Sequence, residues 1–240
     1  MELTDEQKKS LQGQGYIPYK DGTHFSCRVL MPAGKMNAQE ARKLTDVCEK
    51  YGRGYFTLTQ RLNVELPWIK YQDLDTVTKE LKEAGLSIGG TGLRVRPAHV
   101  CKGNVCKMSF FDTEEVAKQI DERFYRGLYD VKLPNKFRII VSGCGNGCTK
   151  PLLGCVGLRG RKQDQVAISI GGKFGKDHII GRELPGLYSI SEALDISEKA
   201  ITYYRENGLQ GERFAKTVER IGFETVGSLL TGLALSEFNK

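Results

Sequence analysis

The sequence predicts an α+β protein, built from a ferredoxin-like α/β sandwich followed by a second α/β domain. Strand and helix patterns alternate twice within the first 90 residues, and the alternation resumes after residue 113. Glycine-rich and cysteine-rich stretches interrupt the later part, at 99–107, 142–160 and 171–181. We therefore expect one domain over residues 1–95 and a second over residues 96–240.

The first strand and the first helix follow from their residue patterns. Apolar and polar residues alternate over 23–30, which is typical of a strand with one buried face. Asn37 begins a helix, because Glu40 three residues later completes a capping-box pattern, and Gly52 ends it. Cys48 falls on the apolar stripe of this helix and is interpreted as a core residue.

An extended segment and a second helix complete the first domain. Residues 55–66 are predicted to be extended, with Arg61, Asn63 and Glu65 on one face of the strand. A helix with one apolar stripe follows over 74–84. This order of strand, helix, strand and helix favours the ferredoxin-like sandwich.

The second domain repeats the alternation with longer helices. Its elements are predicted as a helix over 113–126, strands over 136–142 and 166–172, and helices over 191–207 and 211–222. No low-complexity linker separates it from the first domain.

The composition indicates an ordinary globular protein with an anionic partner. Hydrophobic residues make up 40% and charged residues 27%, which argues against a disordered chain. Lysine and arginine number 36 against 29 acidic residues, so the net charge is +7. The sequence shows neither a signal-peptide pattern nor an apolar run of about 20 residues. We expect a cytoplasmic protein.

The seven cysteines favour metal or redox chemistry, since an odd number fits a disulfide framework poorly. Four residues separate Cys101 from Cys106 and three separate Cys144 from Cys148. Four thiolates can hold one zinc ion or a 4Fe-4S cluster. Structural zinc usually staples a module that lacks a core, whereas elements with apolar faces surround these pairs, so the cluster is favoured.

Four segments together resemble the signature segments of the sirohaem and 4Fe-4S sulfite and nitrite reductases. They are YGRGYFTLTQRLNVEL, RVRPAHVC, LPNKFRIIVSGCGNGCTKP and GGKFG, in the same order as in that family. The resemblance runs from about residue 23 to residue 182 and therefore covers most of the chain. It implies that the second domain is an α/β sirohaem and 4Fe-4S domain of the sulfite/nitrite reductase type.

The resemblance implies that four thiolates hold the 4Fe-4S cluster: Cys101, Cys106, Cys144 and Cys148. Cys148 would also bridge the cluster to the sirohaem iron, and Asn146 in the same loop would lie against the cofactor. The family usually has five residues between its first two cysteines, whereas this chain has four. Cys155 is an additional thiol just after the motif, interpreted as a packing residue, with a redox or alternative ligand role as the second interpretation.

Basic residues match the positions that bind the anionic substrate in the family. Arg61 corresponds to the arginine of a threonine-threonine-arginine segment, and Arg96 stands five residues before Cys101. Lys136 and Arg138 match a lysine-x-lysine pair, with arginine replacing the second lysine. These four are the predicted catalytic residues, with Lys136 as the proton donor. Arg94, two residues before Arg96 on the same strand face, could share or exchange the role of Arg96 and is predicted to bind the cofactor.

The segment GGKFG follows a predicted strand. The backbone N–H groups of Gly171, Gly172 and Lys173 could donate to the carboxylates of sirohaem, as glycine-rich loops do for other anions. A pattern of this kind is as often an ordinary turn, so the prediction depends on the resemblance.

The resemblance implies six-electron reduction of sulfite to sulfide. Nitrite reduction to ammonia on the same fold is the first alternative, and an electron-transfer or sirohaem-binding subunit without turnover is the second. A zinc-stapled nucleic-acid binder is disfavoured, because the sequence lacks interleaved aromatic and basic repeats.

The expected partners are sulfite or nitrite and an external electron donor, such as a ferredoxin or a partner subunit. We expect neither nucleic acid nor a membrane as a partner. Larger family members contain the unit twice, whereas this chain contains it once. Two chains are therefore predicted to pair about a two-fold axis, the basic residues of one facing the cysteines of the other.

Overall fold

The chain folds into two compact units, one ending at Gly92 and one beginning at Leu93, in a computed structural model that describes residues 3–239. Within the second unit, the Leu133 N–H donates to the Leu93 carbonyl at 2.9 Å. The Phe137 N–H donates to the Arg94 carbonyl at 3.1 Å. These bonds place residues 93–95 with the second unit, so the division falls three residues before the predicted boundary.

The first unit is an antiparallel four-stranded sheet with helices packed on it. Its strands, in the spatial order β1-β2-β4-β3, are β1 (Tyr16–Pro18), β2 (His24–Val29), β3 (Thr57–Leu58) and β4 (Val64–Lys70). Its helices are α1 (Asp5–Gln14), α2 (Ala38–Tyr51) and α3 (Leu74–Glu83). The predicted capping box is confirmed, since the Asn37 side chain accepts from the Glu40 N–H and the Glu40 carboxylate accepts from the Asn37 N–H.

The core of the first unit lies between the sheet and the apolar stripes of α2 and α3. Leu44 and Val47 of α2 and Val77 and Leu81 of α3 are all fully buried. Cys48 is also buried in this core, as the helical periodicity predicts. Burial of these side chains is what holds the two helices on the sheet.

Glu80 of α3 binds three groups of α2. Its carboxylate accepts from Lys43 at 2.5 Å, from Lys50 at 2.8 Å and from the Tyr51 hydroxyl at 2.6 Å. These hydrogen bonds, that of Lys43 first, lower the pKa of Glu80 to about 2. Because the folded pKa lies below the unfolded value, the carboxylate stabilises the fold above pH 4.5 and loses this effect as the pH falls to about 2.

We expect Glu80→Gln to lower the free energy of unfolding by about 1 kcal/mol at pH 7 and by much less near pH 2. Urea unfolding at both pH values measures the difference. Glu83→Gln is the matched control on the same helix, because Glu83 is exposed and its ion pair with Lys79 is long, at 3.9 Å. Equal losses for Glu80→Gln at both pH values would contradict the linkage.

The second unit contains a mixed sheet in the order β10-β8-β7-β6-β5, with β9 paired to β8. Its strands are β5 (His99–Val100), β6 (Ile139–Ser142), β7 (Val156–Lys162), β8 (Gln165–Ile170), β9 (Arg182–Glu183) and β10 (Tyr188–Ser189). Strand β6 is parallel to both β5 and β7, and the other pairings are antiparallel. The carboxyl ends of β5 and β6 therefore lie at the same edge of the sheet.

Four helices complete the second unit: α4 (Thr113–Ile120), α5 (Ile190–Asn207), α6 (Phe214–Ile221) and α7 (Phe223–Thr231). The predicted helix over 113–126 is α-helical only to Ile120 and continues as a π-helical turn over Asp121–Arg126. Phe137, Tyr204 and Phe214 form an aromatic cluster with ring centroids 5.1–5.8 Å apart. Within the described part of the chain, no helix is long and apolar enough to cross a bilayer.

Candidate functional site

Four basic side chains share one face of the second unit. Val95 and Phe137 pair as a parallel bridge, and both side chains are buried, with 2% and 0% of their surface exposed. Paired residues of parallel strands point to the same side, so their sequence neighbours point to the opposite side. The neighbours are Arg94, Arg96, Lys136 and Arg138, which we call the basic face. All four are partly buried.

The Arg94 guanidinium is held by an aromatic ring. It stacks over Tyr129 at 4.0 Å from the ring centroid, and Tyr125 packs edge-on against Tyr129 at 5.7 Å. Its Nη1 atom is buried and makes no hydrogen bond within residues 3–239. A buried donor of this kind is costly unless a ligand accepts from it, which fits the predicted contact with an anionic cofactor.

Arg61 lies in the first unit and not on a strand, contrary to the prediction. Strand β4 begins only at Val64, and Arg61 belongs to the turn that precedes it. The Thr59 hydroxyl accepts from the N–H groups of Arg61, at 3.3 Å, and Asn63, at 3.2 Å. Leu62 between them has a φ of 60°, so the alternation of a strand cannot continue through this segment.

The Arg61 side chain is partly buried beside another arginine. Burial lowers the pKa of Arg61, the charge of Arg28 acts in the same direction, and Glu65 opposes both. Glu65 itself binds the Arg28 guanidinium at 2.7 Å. Arg61 remains protonated, because an arginine does not lose its proton in a protein, and it is therefore available as a cation of the first unit.

We expect Thr59→Val to loosen the turn that carries Arg61. The substitution keeps the side-chain volume but removes the acceptor of two N–H groups, at a cost of about 1 kcal/mol. Hydrogen–deuterium exchange at the Arg61 and Asn63 amides should become about tenfold faster in this variant. Thr59→Ser keeps the hydroxyl and should preserve the exchange rates; unchanged rates in Thr59→Val would show that the hydroxyl does not hold the turn.

The two cysteine loops start at the carboxyl ends of neighbouring parallel strands. Cys101 directly follows β5, and Cys144 lies two residues after β6. The Gly143 N–H donates to the Cys101 sulfur at 3.1 Å, and the Phe110 N–H donates to the Gly143 carbonyl at 2.8 Å. Both ends of the first loop, 101–110, therefore contact the start of the second.

The second loop is closed by hydroxyl groups. The Ser142 and Thr149 hydroxyls lie 2.6 Å apart, and Thr149 also donates to the Val141 carbonyl at 2.8 Å. Beneath the loop, Gly160 of β7 lies so close that a Cβ atom there would overlap the Gly143 carbonyl oxygen. Glycine is required at this approach, because the obstacle is backbone.

The four predicted ligand thiols lie on these two adjoining loops. Cys144 is buried, Cys101 and Cys106 are partly buried, and Cys148 is exposed. Asn146 is exposed on the second loop. Within residues 3–239, no group of three His, Cys, Asp or Glu side chains is placed so that it could hold a metal ion. The structure brings the loops together without gathering their sulfur atoms at one point, and the donor set matches a 4Fe-4S cluster in type and number.

Two backbone N–H groups of the GGKFG segment donate to carbonyls of the protein and not, as predicted, to an anion. The Gly171 N–H donates to the Cys155 carbonyl at 3.0 Å, and the Lys173 N–H donates to the Ile179 carbonyl at 2.9 Å. The expectation that these two groups are available to an anion is therefore wrong. A Cβ at Gly172 would overlap the Leu152 carbonyl oxygen, so this glycine serves a close backbone approach.

Two arginines that lie beside the second cysteine loop were not identified by sequence analysis. Arg159 and Arg161 lie on β7, a strand that was not predicted, and both bind Glu183 of β9. Strand β7 contains two glycines and three basic residues, so its alternation is weak. Cys155 just before this strand is fully buried, as expected of a packing residue, and burial raises the pKa of its thiol.

Comparison with known families matches both units. Residues 91–236 match the nitrite and sulphite reductase 4Fe-4S domain, and residues 17–84 match the nitrite/sulfite reductase ferredoxin-like half domain. These matches confirm the predicted resemblance and the predicted fold class.

Similar proteins include a coenzyme F420-dependent sulfite reductase of Methanocaldococcus jannaschii, 33% identical over 147 residues, which are 61% of this chain and 23% of that protein. An assimilatory-type sulfite reductase of Nitratidesulfovibrio vulgaris is 26% identical over 232 residues, covering 96% of this chain and 100% of that protein. The solved structure of the Mycobacterium tuberculosis NirA protein superposes with a TM-score of 0.79 at 16% identity, over 94% of this chain and 47% of that one. The chain thus spans about a quarter of the first relative and about half of the solved structure.

Proposed function

Because the chain belongs to the nitrite and sulfite reductase 4Fe-4S domain family, we propose that it reduces sulfite to sulfide at a sirohaem coupled to a 4Fe-4S cluster. The observation that carries this proposal is the basic face, where four cations share one side of the unit that also carries the cysteine loops. The overall reaction consumes six electrons and six protons: HSO₃⁻ + 6e⁻ + 6H⁺ gives HS⁻ + 3H₂O. An oxyanion substrate and three departing oxygens require both positive charge and proton donors.

The basic face supplies these two requirements from different side chains. The guanidinium groups of Arg96 and Arg138 present fixed forks of N–H donors to the oxygens of a bound anion. The Lys136 ammonium can give up a proton as an S–O bond breaks and regain it from water. Arg61, in the first unit, is proposed as a fourth substrate-binding cation on the strength of its family position.

The cysteine loops are proposed to hold the cluster, for which Cys101, Cys106, Cys144 and Cys148 would be the ligands; Cys148 would also be the thiolate shared with the sirohaem. When bound, the two cofactors would carry the electrons of the external donor to the bound anion. The chain's own contribution is to bind their charge, for which Arg94 offers a buried donor and Lys173 a side-chain ammonium. Asn146 and Gly172 complete the proposed cofactor contacts.

Steady-state turnover tests the proposal. Protein reconstituted anaerobically with both cofactors and supplied with reduced methyl viologen should convert sulfite to sulfide with a larger kcat/KM than it shows for nitrite. A larger kcat/KM for nitrite, with ammonium as the product, would identify the nitrite-reducing alternative instead. Loaded protein that turns over neither anion would indicate an electron-transfer or sirohaem-binding subunit.

The electron donor and the oligomeric state are part of the same proposal. We expect an external donor, a ferredoxin or a partner subunit, and a two-fold symmetric homodimer. Sedimentation equilibrium of the loaded protein measures the mass in solution: about twice 26.8 kDa is expected, and a monomer at all concentrations would contradict the dimer.

A further inference from the structure

Strand β7 passes directly beside the second cysteine loop. In the parallel pairing of β6 with β7, Ser142 is opposite Arg159, so the start of the loop and this arginine are neighbours in the sheet. The next residue, Gly160, lies against the Gly143 carbonyl and the Cys144 N–H. The backbone of β7 therefore forms the floor on which the loop rests.

The two arginines that flank Gly160 reach toward the glycines of this loop. A Cβ atom built on Gly145 would lie 4.0 Å from Arg161 Nη1, and one built on Gly147 would lie 4.0 Å from Arg159 Cδ. Gly145 and Gly147 stand between the two predicted ligands Cys144 and Cys148. Both guanidinium-bearing side chains thus lie alongside the segment that joins these ligands.

One carboxylate holds both arginines, so the group has a net positive charge. Glu183 of β9 accepts from Arg159 Nη2, and it accepts from Arg161 Nη2 at 3.0 Å. The Arg159 Nε atom is buried and makes no hydrogen bond within residues 3–239. Two cations against one anion leave a charge of about +1 beside the loop. Arg159 is partly buried, whereas Arg161 and Glu183 are exposed, so solvent screens part of this charge.

We propose that the group Arg159, Arg161 and Glu183 sets the reduction potential of the 4Fe-4S cluster on the neighbouring cysteine loop, which makes these three residues positioning and tuning residues of the site. The proposal rests on the proposed function, since it requires the cluster. A cluster gains one negative charge when it takes up one electron. A nearby positive charge stabilises the reduced form more than the oxidised form, and hydrogen bonds and charge around the sulfurs are the usual controls of such potentials.

The physical argument predicts opposite effects for two neutralising substitutions. Arg161→Gln removes a positive charge and should lower the ratio of reduced to oxidised cluster at a fixed potential by about tenfold, equivalent to about 59 mV for one electron. Glu183→Gln removes a negative charge and should raise the same ratio. Arg161→Lys keeps the charge and should stay within about twofold of the wild type.

Redox titration of the loaded protein, followed by the electron paramagnetic resonance signal of the reduced cluster, measures these ratios without any turnover. Lys162→Gln is the matched control, because Lys162 is exposed at the end of the same strand and its loss changes the net charge equally. The result expected is a lower ratio for Arg161→Gln, a higher ratio for Glu183→Gln and no shift beyond twofold for Lys162→Gln.

The proposal would be overturned if both Arg161→Gln and Glu183→Gln kept the wild-type ratio of reduced to oxidised cluster. It would also be overturned if both variants shifted this ratio in the same direction. If Arg161→Gln loads no cluster, the sign of the Glu183→Gln shift decides alone. A wild-type chain that assembles no iron–sulfur cluster would instead contradict the proposed function, and this inference would fall with it.

Discussion

Gly160→Ala is expected to abolish assembly of the cluster, with more than a tenfold loss of bound iron per chain. The added Cβ atom would overlap the Gly143 carbonyl oxygen, which belongs to the residue before Cys144. Because both partners are backbone, the clash is relieved only by lifting the second cysteine loop from β7. The Gly143 N–H would then lose its bond to the Cys101 sulfur, which joins the two loops.

Iron and acid-labile sulfide per chain, measured after anaerobic reconstitution, give the result. Gly145→Ala is the matched control in the same loop, because Gly145 is exposed and its nearest neighbour, Arg161 Nη1, would be 4.0 Å from the new Cβ. The control should load the cluster as the wild type does. Equal iron in both variants would show that contact with β7 does not position the loop.

Neutralising Lys136 or Arg138 should lower kcat/KM for sulfite by about 10²–10³, the effect of removing one preorganised donor from the site of developing charge. Both residues lie on the basic face, opposite the buried Phe137, so Lys136→Gln and Arg138→Gln remove charge without disturbing the core. Lys136→Arg should keep anion affinity but lose turnover, since arginine does not release its proton. Steady-state kinetics with sulfite measure all three variants.

Lys132→Gln is the control for these variants, because Lys132 is exposed and lies shortly before the same segment. It should retain the kinetics of the wild type within about twofold. The sirohaem and iron content of each variant must also be measured, so that lost activity is assigned to the anion site. If fully loaded Lys136→Gln and Arg138→Gln keep the wild-type kcat/KM, the basic face has no role in the reaction.

Local sequence patterns predicted those helices that have both a capping residue at their start and an apolar stripe along one face. Helix α2 begins at its Asn37 cap and carries its buried residues at helical spacing, so its start and its inner face were both predicted. Helix α1 was not predicted, because none of its residues is buried and no apolar periodicity marks it. Strand β7 was missed for a different reason: most of its residues are buried, but glycines and arginines interrupt its alternation.

The candidate site was predicted in its residue types more fully than in its geometry. Alternation alone predicted that Lys136 and Arg138 lie on one side of their segment. That Arg94 and Arg96 lie on the same face depends on the Val95–Phe137 bridge. Pairing between two strand residues about 40 positions apart in the sequence produces no pattern that can be recognised in either segment alone. The prediction that Arg61 lies on a strand was wrong for a local reason. The sequence of the turn that the Thr59 hydroxyl closes has the same alternating pattern as a strand.

The optical spectrum of the anaerobically purified protein, recorded before and after addition of sulfite, tests the central claim most directly. That claim is that the basic face and the cysteine loops serve a sirohaem and a 4Fe-4S cluster at which sulfite binds. The account predicts a Soret band and a chlorin-type red band that shift on addition of sulfite. A colourless protein that releases zinc on denaturation and shows no response to sulfite would contradict it.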